Sequence, residues 1–195
     1  MSRSLARRAA TVRSAFLIAT TIVVVGCGAG PEEPAPPSPE ASTRVHVGDI
    51  APEIEAQLLD GSTFRLADHR GEIVVISFFA TWCPPCREEL PHVETELWQR
   101  FRDAGLEVVA VAREETPDVV RPFVEERGFT FPIAVDPDRT NYARYADAYI
   151  PRLVVVDRNG TVLHHASGFE ADEFAEVVAL VEHALAGETA QAAAS

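Results

Sequence analysis

Ile73-Val74-Val75-Ile76-Ser77-Phe78-Phe79-Ala80-Thr81-Trp82-Cys83-Pro84-Pro85-Cys86-Arg87-Glu88-Glu89-Leu90-Pro91 is the stretch around which the rest of the chain is organised. Ile73 to Ala80 is apolar and β-branched except for Ser77, the pattern of a strand buried on both faces of a sheet. The spacing from Arg87 onward is helical, so the strand delivers Cys83 and Cys86 to the first turn of a helix. Free N–H groups and the positive dipole end at a helix N-terminus favour an anion, which lowers the thiolate cost at the first cysteine. The second cysteine is close enough on that turn to close a small ring with the first, giving a dithiol that can cycle to a disulfide. Pro84 and Pro85 suit the opening positions, where the missing N–H would have no partner and φ is already helical.

Two other uses of the pair stand beside redox cycling. Half a zinc site would need further ligands, and the third cysteine of the chain, Cys27, lies far upstream. A purely structural bridge across two residues would constrain little of the unfolded chain. A strand–turn–helix setting favours redox chemistry over both.

A chain of 195 residues suggests one domain with extensions. The net charge is −13, and all 17 basic residues are arginine. Four of these (Arg3, Arg7, Arg8, Arg13) precede Cys27, leaving 13 arginines against 30 acids beyond it. That balance argues against nucleic acid as a partner and against electrostatic attachment to anionic lipid. The N-terminus reads as an export signal, with arginine-rich residues 1–14 followed by apolar Ala15 to Val25, too short to span a bilayer. Val24-Val25-Gly26-Cys27 resembles the lipobox of bacterial lipoproteins, in which cleavage precedes an acylated cysteine; an ordinary secretory signal is the alternative. The organisation expected is a signal peptide over 1–26, a lipid-anchored Pro-rich linker over 27–44, a folded domain over 45–187 and a disordered tail over 188–195.

Within the domain, Asp60-Gly61 before Thr63 to Leu66 marks a two-stranded preface. A helix is expected from Pro84 to about Ala104, bent at Pro91 and stopped by Gly105. Leu106 to Ala112 is a second buried strand, Pro117 to Arg127 a helix capped by Gly128, and Pro132 to Val135 a short strand. A brief helix follows over Arg139 to Ala146, then a hairpin of Leu153–Val156 and Thr161–His165 around Asp157-Arg158-Asn159-Gly160, and a final helix over Ala171 to Ala186. This order implies an α/β fold with a mixed central sheet flanked by helices.

Val47-Gly48-Asp49-Ile50-Ala51-Pro52, Leu59-Asp60-Gly61, the Trp82-Cys83-Pro84-Pro85-Cys86 core with Glu89, and Ile150-Pro151 with Val156 to Gly160 together resemble the TlpA/ResA-like thioredoxins of the redoxin (AhpC/TSA) superfamily, which are membrane-tethered thiol-disulfide oxidoreductases. The resemblance covers roughly residues 45–187 and implies a thioredoxin-like three-layer fold with an N-terminal β-hairpin and a central αβ insertion. It makes Cys83 the exposed nucleophile, Cys86 the buried resolving thiol and Glu89 an acid that tunes the pair. It makes Pro151 a cis-proline facing the disulfide, with Ile150 offering its backbone to a substrate strand, and Trp82, Pro84 and Pro85 part of the substrate-binding rim. Thioredoxin carries an acid on the central strand where this chain has Ser77, so the proton acceptor must come from elsewhere. Tyr149 stands where glycine is common and Arg152 where threonine is common, departures that bear on the partner.

The resemblance further implies an extracytoplasmic protein, monomeric, without a prosthetic cofactor beyond its redox-active disulfide and without a bound metal. Its partners would be disulfide-bearing client proteins such as apocytochrome c or copper-site proteins, a membrane electron donor of the CcdA/DsbD type, and a membrane reached through lipid at Cys27. A copper-binding thioredoxin-like chaperone and a peroxiredoxin are the competing readings. The first needs a histidine near the cysteines in the fold, and His164 and His165, adjacent on one strand, point to opposite sides. The second needs a Thr-x-x-Cys spacing, whereas Thr81 precedes Cys83 by two.

Overall fold

The computed structural model describes residues 36–192. The expected signal peptide, Cys27 and its lipobox, the first part of the linker and residues 193–195 lie outside the described residues. In chain order the elements are β1 (Glu55–Leu58), β2 (Thr63–Arg65), a 3₁₀ turn (Leu66–His69), β3 (Ile73–Phe79), α1 (Pro84–His92), a π-helical segment (Val93–Trp98), α2 (Gln99–Phe101), β4 (Leu106–Arg113), α3 (Pro117–Arg127), β5 (Ile133–Asp136), α4 (Tyr142–Tyr145), β6 (Arg152–Val156), β7 (Val162–Ser167) and α5 (Ala171–Ala192).

All seven residues of β3 are buried, as an uninterrupted apolar run in a strand requires. It lies inside a seven-stranded sheet of order β2-β1-β5-β4-β3-β6-β7. β3 runs parallel to β4 and β4 to β5, while β6 runs antiparallel to β3, β7 to β6 and β1 to β5. The preface is an antiparallel hairpin in which Leu58 N–H donates to the Ser62 carbonyl, with Gly61 at φ +92° supplying the left-handed corner. The fold is the α/β thioredoxin-like mixed sheet expected, with helices packed on it.

Period-two alternation divides the sheet into two cores. Ile73, Val75 and Phe79 join Leu90, Leu97, Val120, Val177 and Val181 in the core on the face carrying α1, α3 and α5. Val74, Ile76 and Phe78 face the other way, onto Tyr142, Tyr145, Ile54, Phe64 and Leu66. Each such side chain withdrawn from water contributes about 1.5–3 kcal/mol. Ser77, on the helix-bearing face, is the polar break in this arrangement.

Four expectations need correction. The helix from Pro84 does not run uniformly to Ala104: α1 ends at His92, and a π segment and two short turns carry the chain to Gly105 at φ +92°. The change follows directly on Pro91, which supplies no N–H to the helical ladder. The final helix continues through Gly187 to Ala192, because the Ala- and Glu-rich residues around the glycine favour helix enough to offset its cost of about 1 kcal/mol. The disordered tail expected from 188 is therefore helical over 188–192. Likewise α4 is confined to Tyr142–Tyr145, its first turn fixed by the Asp136 carboxylate accepting from the Asn141 and Tyr142 N–H groups.

The fourth correction concerns the end of the linker. Residues 37–44 are not a free leash but a strap bound to the domain, with Ser42 buried. Arg44 N–H donates to the Tyr145 carbonyl and Asp147 N–H to the Ser42 carbonyl. The cause is Arg152, buried at the start of β6: its guanidinium donates to Pro39 O (2.9 Å), Ser42 Oγ (2.7 Å), Thr43 Oγ1 (2.7 Å) and Ala148 O (3.0 Å). A buried guanidinium with five donors needs acceptors, and the strap brings most of them.

Candidate active site

Cys83 is the N-cap of α1 and Cys86 lies in its first turn; the two are joined as a disulfide with Cα atoms 5.3 Å apart. The Cys86 N–H points at Cys83 Sγ from 3.3 Å, so the free donors of the helix end are aimed at that sulfur. Cys83 is 3% exposed and Cys86 0%. Cys83 is therefore not the open nucleophile expected; its sulfur is sheltered by the rim around it and borders a cleft of about 410 Å³. Trp82, 64% exposed, lines that cleft with Pro84, Pro85, Tyr149 and Ile150, standing beside Cys83 rather than in the core.

The Ile150–Pro151 peptide is cis. The Ile150 carbonyl oxygen lies 3.7 Å from Cys83 Sγ. The preceding Tyr149 has φ +69°, the left-handed conformation that costs a side-chain-bearing residue about 1–2 kcal/mol and glycine nothing. Two hydrogen bonds hold it there: Tyr142 O–H donates to the Tyr149 carbonyl (2.6 Å), and Tyr149 O–H donates to the Pro37 carbonyl of the strap (2.7 Å). Both residues that depart from the family pattern, Tyr149 and Arg152, thus bind the strap.

Beneath the disulfide, Glu89 lies one turn of α1 beyond Cys86 and on its face. It is 1% exposed, and its carboxyl accepts from Ser77 O–H at 2.6 Å. Burial raises its pKa from 4.5 to about 7, the Ser77 bond opposing that rise. Ser77 occupies the strand position that lacks an acid, and the acid opposite it comes from the helix instead.

Sequence reasoning missed three contributors. The buried Glu115, just past β4, accepts from Thr81 N–H (2.8 Å) and Thr81 O–H (2.6 Å), which fixes the turn before Cys83. Arg113 and Arg139 also line the cleft. A glutamate 34 residues downstream and two arginines among thirteen carry no local signal; Arg113, next after the strand Leu106 to Ala112, is the nearest thing to one. Among the described residues, the group of three His, Asp, Glu or Cys side chains close enough to share a metal ion is His69, Glu72 and Glu107, just before β3 and at the start of β4, away from the cysteines that follow β3. No described helix is long and apolar enough to cross a membrane.

Residues 47–165 match the AhpC/TSA family. Thiol-disulfide oxidoreductase ResA of Bacillus anthracis is 30% identical over 130 residues, 67% of this chain and 75% of the relative. ResA of Geobacillus thermodenitrificans is 37% identical over 120 residues, 62% of this chain and 68% of the relative. The crystal structure of a thioredoxin-family thiol:disulfide interchange protein from Chlorobium tepidum superposes with TM-score 0.62 at 26% identity, over 71% of this chain and 97% of that one.

Proposed function

The chain belongs to the AhpC/TSA family and is a thiol-disulfide oxidoreductase, and on that premise we propose that it reduces disulfides in client proteins outside the cytoplasm through Cys83 and Cys86. The observation that carries this reading is the Cys83–Cys86 disulfide at a helix N-terminus, set between the Ile150 carbonyl and a buried carboxyl of raised pKa.

In the dithiol form the Cys83 thiolate, favoured by the end of α1, attacks one sulfur of a client disulfide. A Cys83–client mixed disulfide forms, and the other client sulfur leaves as thiolate and takes up a proton. The Glu89 carboxylate then accepts the Cys86 proton, and the Cys86 thiolate attacks Cys83 Sγ, breaking the mixed disulfide and releasing the second client sulfur as a thiolate that takes up a proton as Glu89 gives its own back. The balance is one protein dithiol and one client disulfide converted to one protein disulfide and one client dithiol. Ile150 holds the client backbone as an added strand, and Trp82, Pro84 and Pro85 bound the groove it enters.

An oxidising compartment requires a reductant for the next cycle, and a membrane donor of the CcdA/DsbD type fits the family. Clients such as apocytochrome c or copper-site proteins, a lipid anchor at Cys27, a monomeric state and the lack of a prosthetic cofactor belong to the same reading; the signal and lipobox residues of the sequence support the location. Titration of the Cys83–Cys86 couple in thiol buffers tests it. A potential near that of thioredoxin, about −270 mV, supports a reductant, while one near about −120 mV overturns that role in favour of disulfide formation.

A further inference from the structure

Resting on the oxidoreductase reading, we propose that the cleft beside Cys83 recognises a carboxylate carried next to the disulfide of the substrate, with Arg139 and Arg113 as its binding groups. The two arginines line the 410 Å³ cleft together with Cys83, Trp82 and Pro84. Both guanidinium groups lie against the Tyr142 ring, at 4.7 Å for Arg113 and 5.1 Å for Arg139 from its centroid, so one buried aromatic fixes the pair. In each the Nε is buried with no hydrogen-bond partner in the protein.

The charges around this rim run against those of the chain, whose net charge is −13. Arg113 pairs with Glu114, and Asp147 pairs with Arg44. Among the described residues Arg139 makes no ion pair of that kind: its Nη2 donates to the neutral Asp147 carbonyl, and its charge acts on the Asp147 carboxylate that Arg44 holds. Arg152, immediately behind the cis-proline, also spends its donors on neutral oxygens. Of the charged side chains that line the cleft, Arg113 and Arg139 outnumber the carboxylate of Asp147, and the end of α1 points the same way.

The backbone supports the same conclusion independently. Among the described residues the non-glycine positions with positive φ are Glu114 (60°), Arg139 (64°) and Tyr149 (69°). Arg139 and Tyr149 line the cleft and Glu114 holds Arg113. Disfavoured backbone at all three points of one rim is kept where the rim has work to do. A planar carboxylate matches a guanidinium fork, and its placement within reach of Cys83 restricts it to a group close to the scissile disulfide.

The test uses the purified full chain in its dithiol form, mixed with two disulfide-bonded peptides identical except for Glu or Gln beside the cysteine, and with oxidised glutathione. Second-order rates of Cys83–Cys86 formation are read by acid quench and alkylation. The Glu peptide should react about tenfold faster than the Gln peptide at low salt, with the ratio falling as ionic strength rises. R139Q should bring the ratio close to one while R139K, which keeps the charge but not the fork, should retain only part of it, and R113Q provides a second variant should R139Q fail to fold. If oxidised glutathione alone shows the dependence on salt and Arg139, the carboxylate comes from a small disulfide; if the Glu peptide shows it, from a protein client. Equal rates for the Glu and Gln peptides, with oxidised glutathione insensitive to R139Q, overturn the inference and leave the oxidoreductase reading intact. No reaction with any of the three overturns both.

Discussion

Replacing Glu89 by glutamine should make the folded protein more stable above neutral pH, although it removes the proposed proton acceptor. In the native state burial holds the carboxyl pKa at about 7, against 4.5 in the unfolded chain. Between those values the folded protein keeps a proton that the unfolded chain has released, so stability falls as pH rises from about 4.5 to about 7 and is level beyond. At about 1.4 kcal/mol for each pH unit separating the two values, the loss comes to about 3 kcal/mol, a large share of a typical domain's stability. E89Q keeps the shape and can still accept from Ser77 O–H, but has no proton to lose. Urea unfolding of both oxidised proteins from pH 4 to pH 8.5 checks this. The curves should nearly meet at the acid end and separate by about 3 kcal/mol in favour of E89Q at pH 8. Parallel curves would refute the reasoning, since they would mean that Glu89 does not titrate between the two values. The same titration governs the chemistry: resolution by Cys86 should quicken as pH rises through about 7 in the wild type and lose that step in E89Q.

A chain beginning at residue 45 strips Arg152 of Pro39 O, Ser42 Oγ and Thr43 Oγ1, and should be about 3 kcal/mol less stable in urea than one beginning at residue 36; equal midpoints would show that water replaces the strap. Glu115→Ala leaves Thr81 N–H and O–H without their acceptor and should cost about 2 kcal/mol by the same assay, with slower alkylation of reduced Cys83 as the turn before it loosens. Cys86→Ser should accumulate a mixed disulfide with a client peptide, visible by intact mass, whereas Cys83→Ser should accumulate none; adducts on Cys86 in the second variant would reverse the roles assigned to the two sulfurs.

The elements that carry the disulfide were readable because their signals are local. An apolar run made β3, prolines opened α1 and α3, and Asp-Gly and Asn-Gly corners made the two hairpins. What escaped the sequence comes from residues far apart in the chain. Arg152 meets Thr43 across 109 positions and Thr81 meets Glu115 across 34, and neither pairing leaves a periodicity to detect. The linker's Pro- and Ser-rich composition correctly denies it a core of its own, but composition cannot reveal that a buried arginine elsewhere lacks acceptors and will recruit it. Tyr149 and Arg152 were noticeable as departures from the family pattern, and the strap is the physical content of that departure.

The strap also decides where the domain is held. Pro37 accepts a hydrogen bond from Tyr149, a residue of the cleft wall, so the chain enters the fold at the doorstep of its own disulfide and not at the opposite pole. A client approaching Cys83 therefore meets the strap at Tyr149, and whatever loosens the Tyr149–Pro37 bond changes one wall of the cleft.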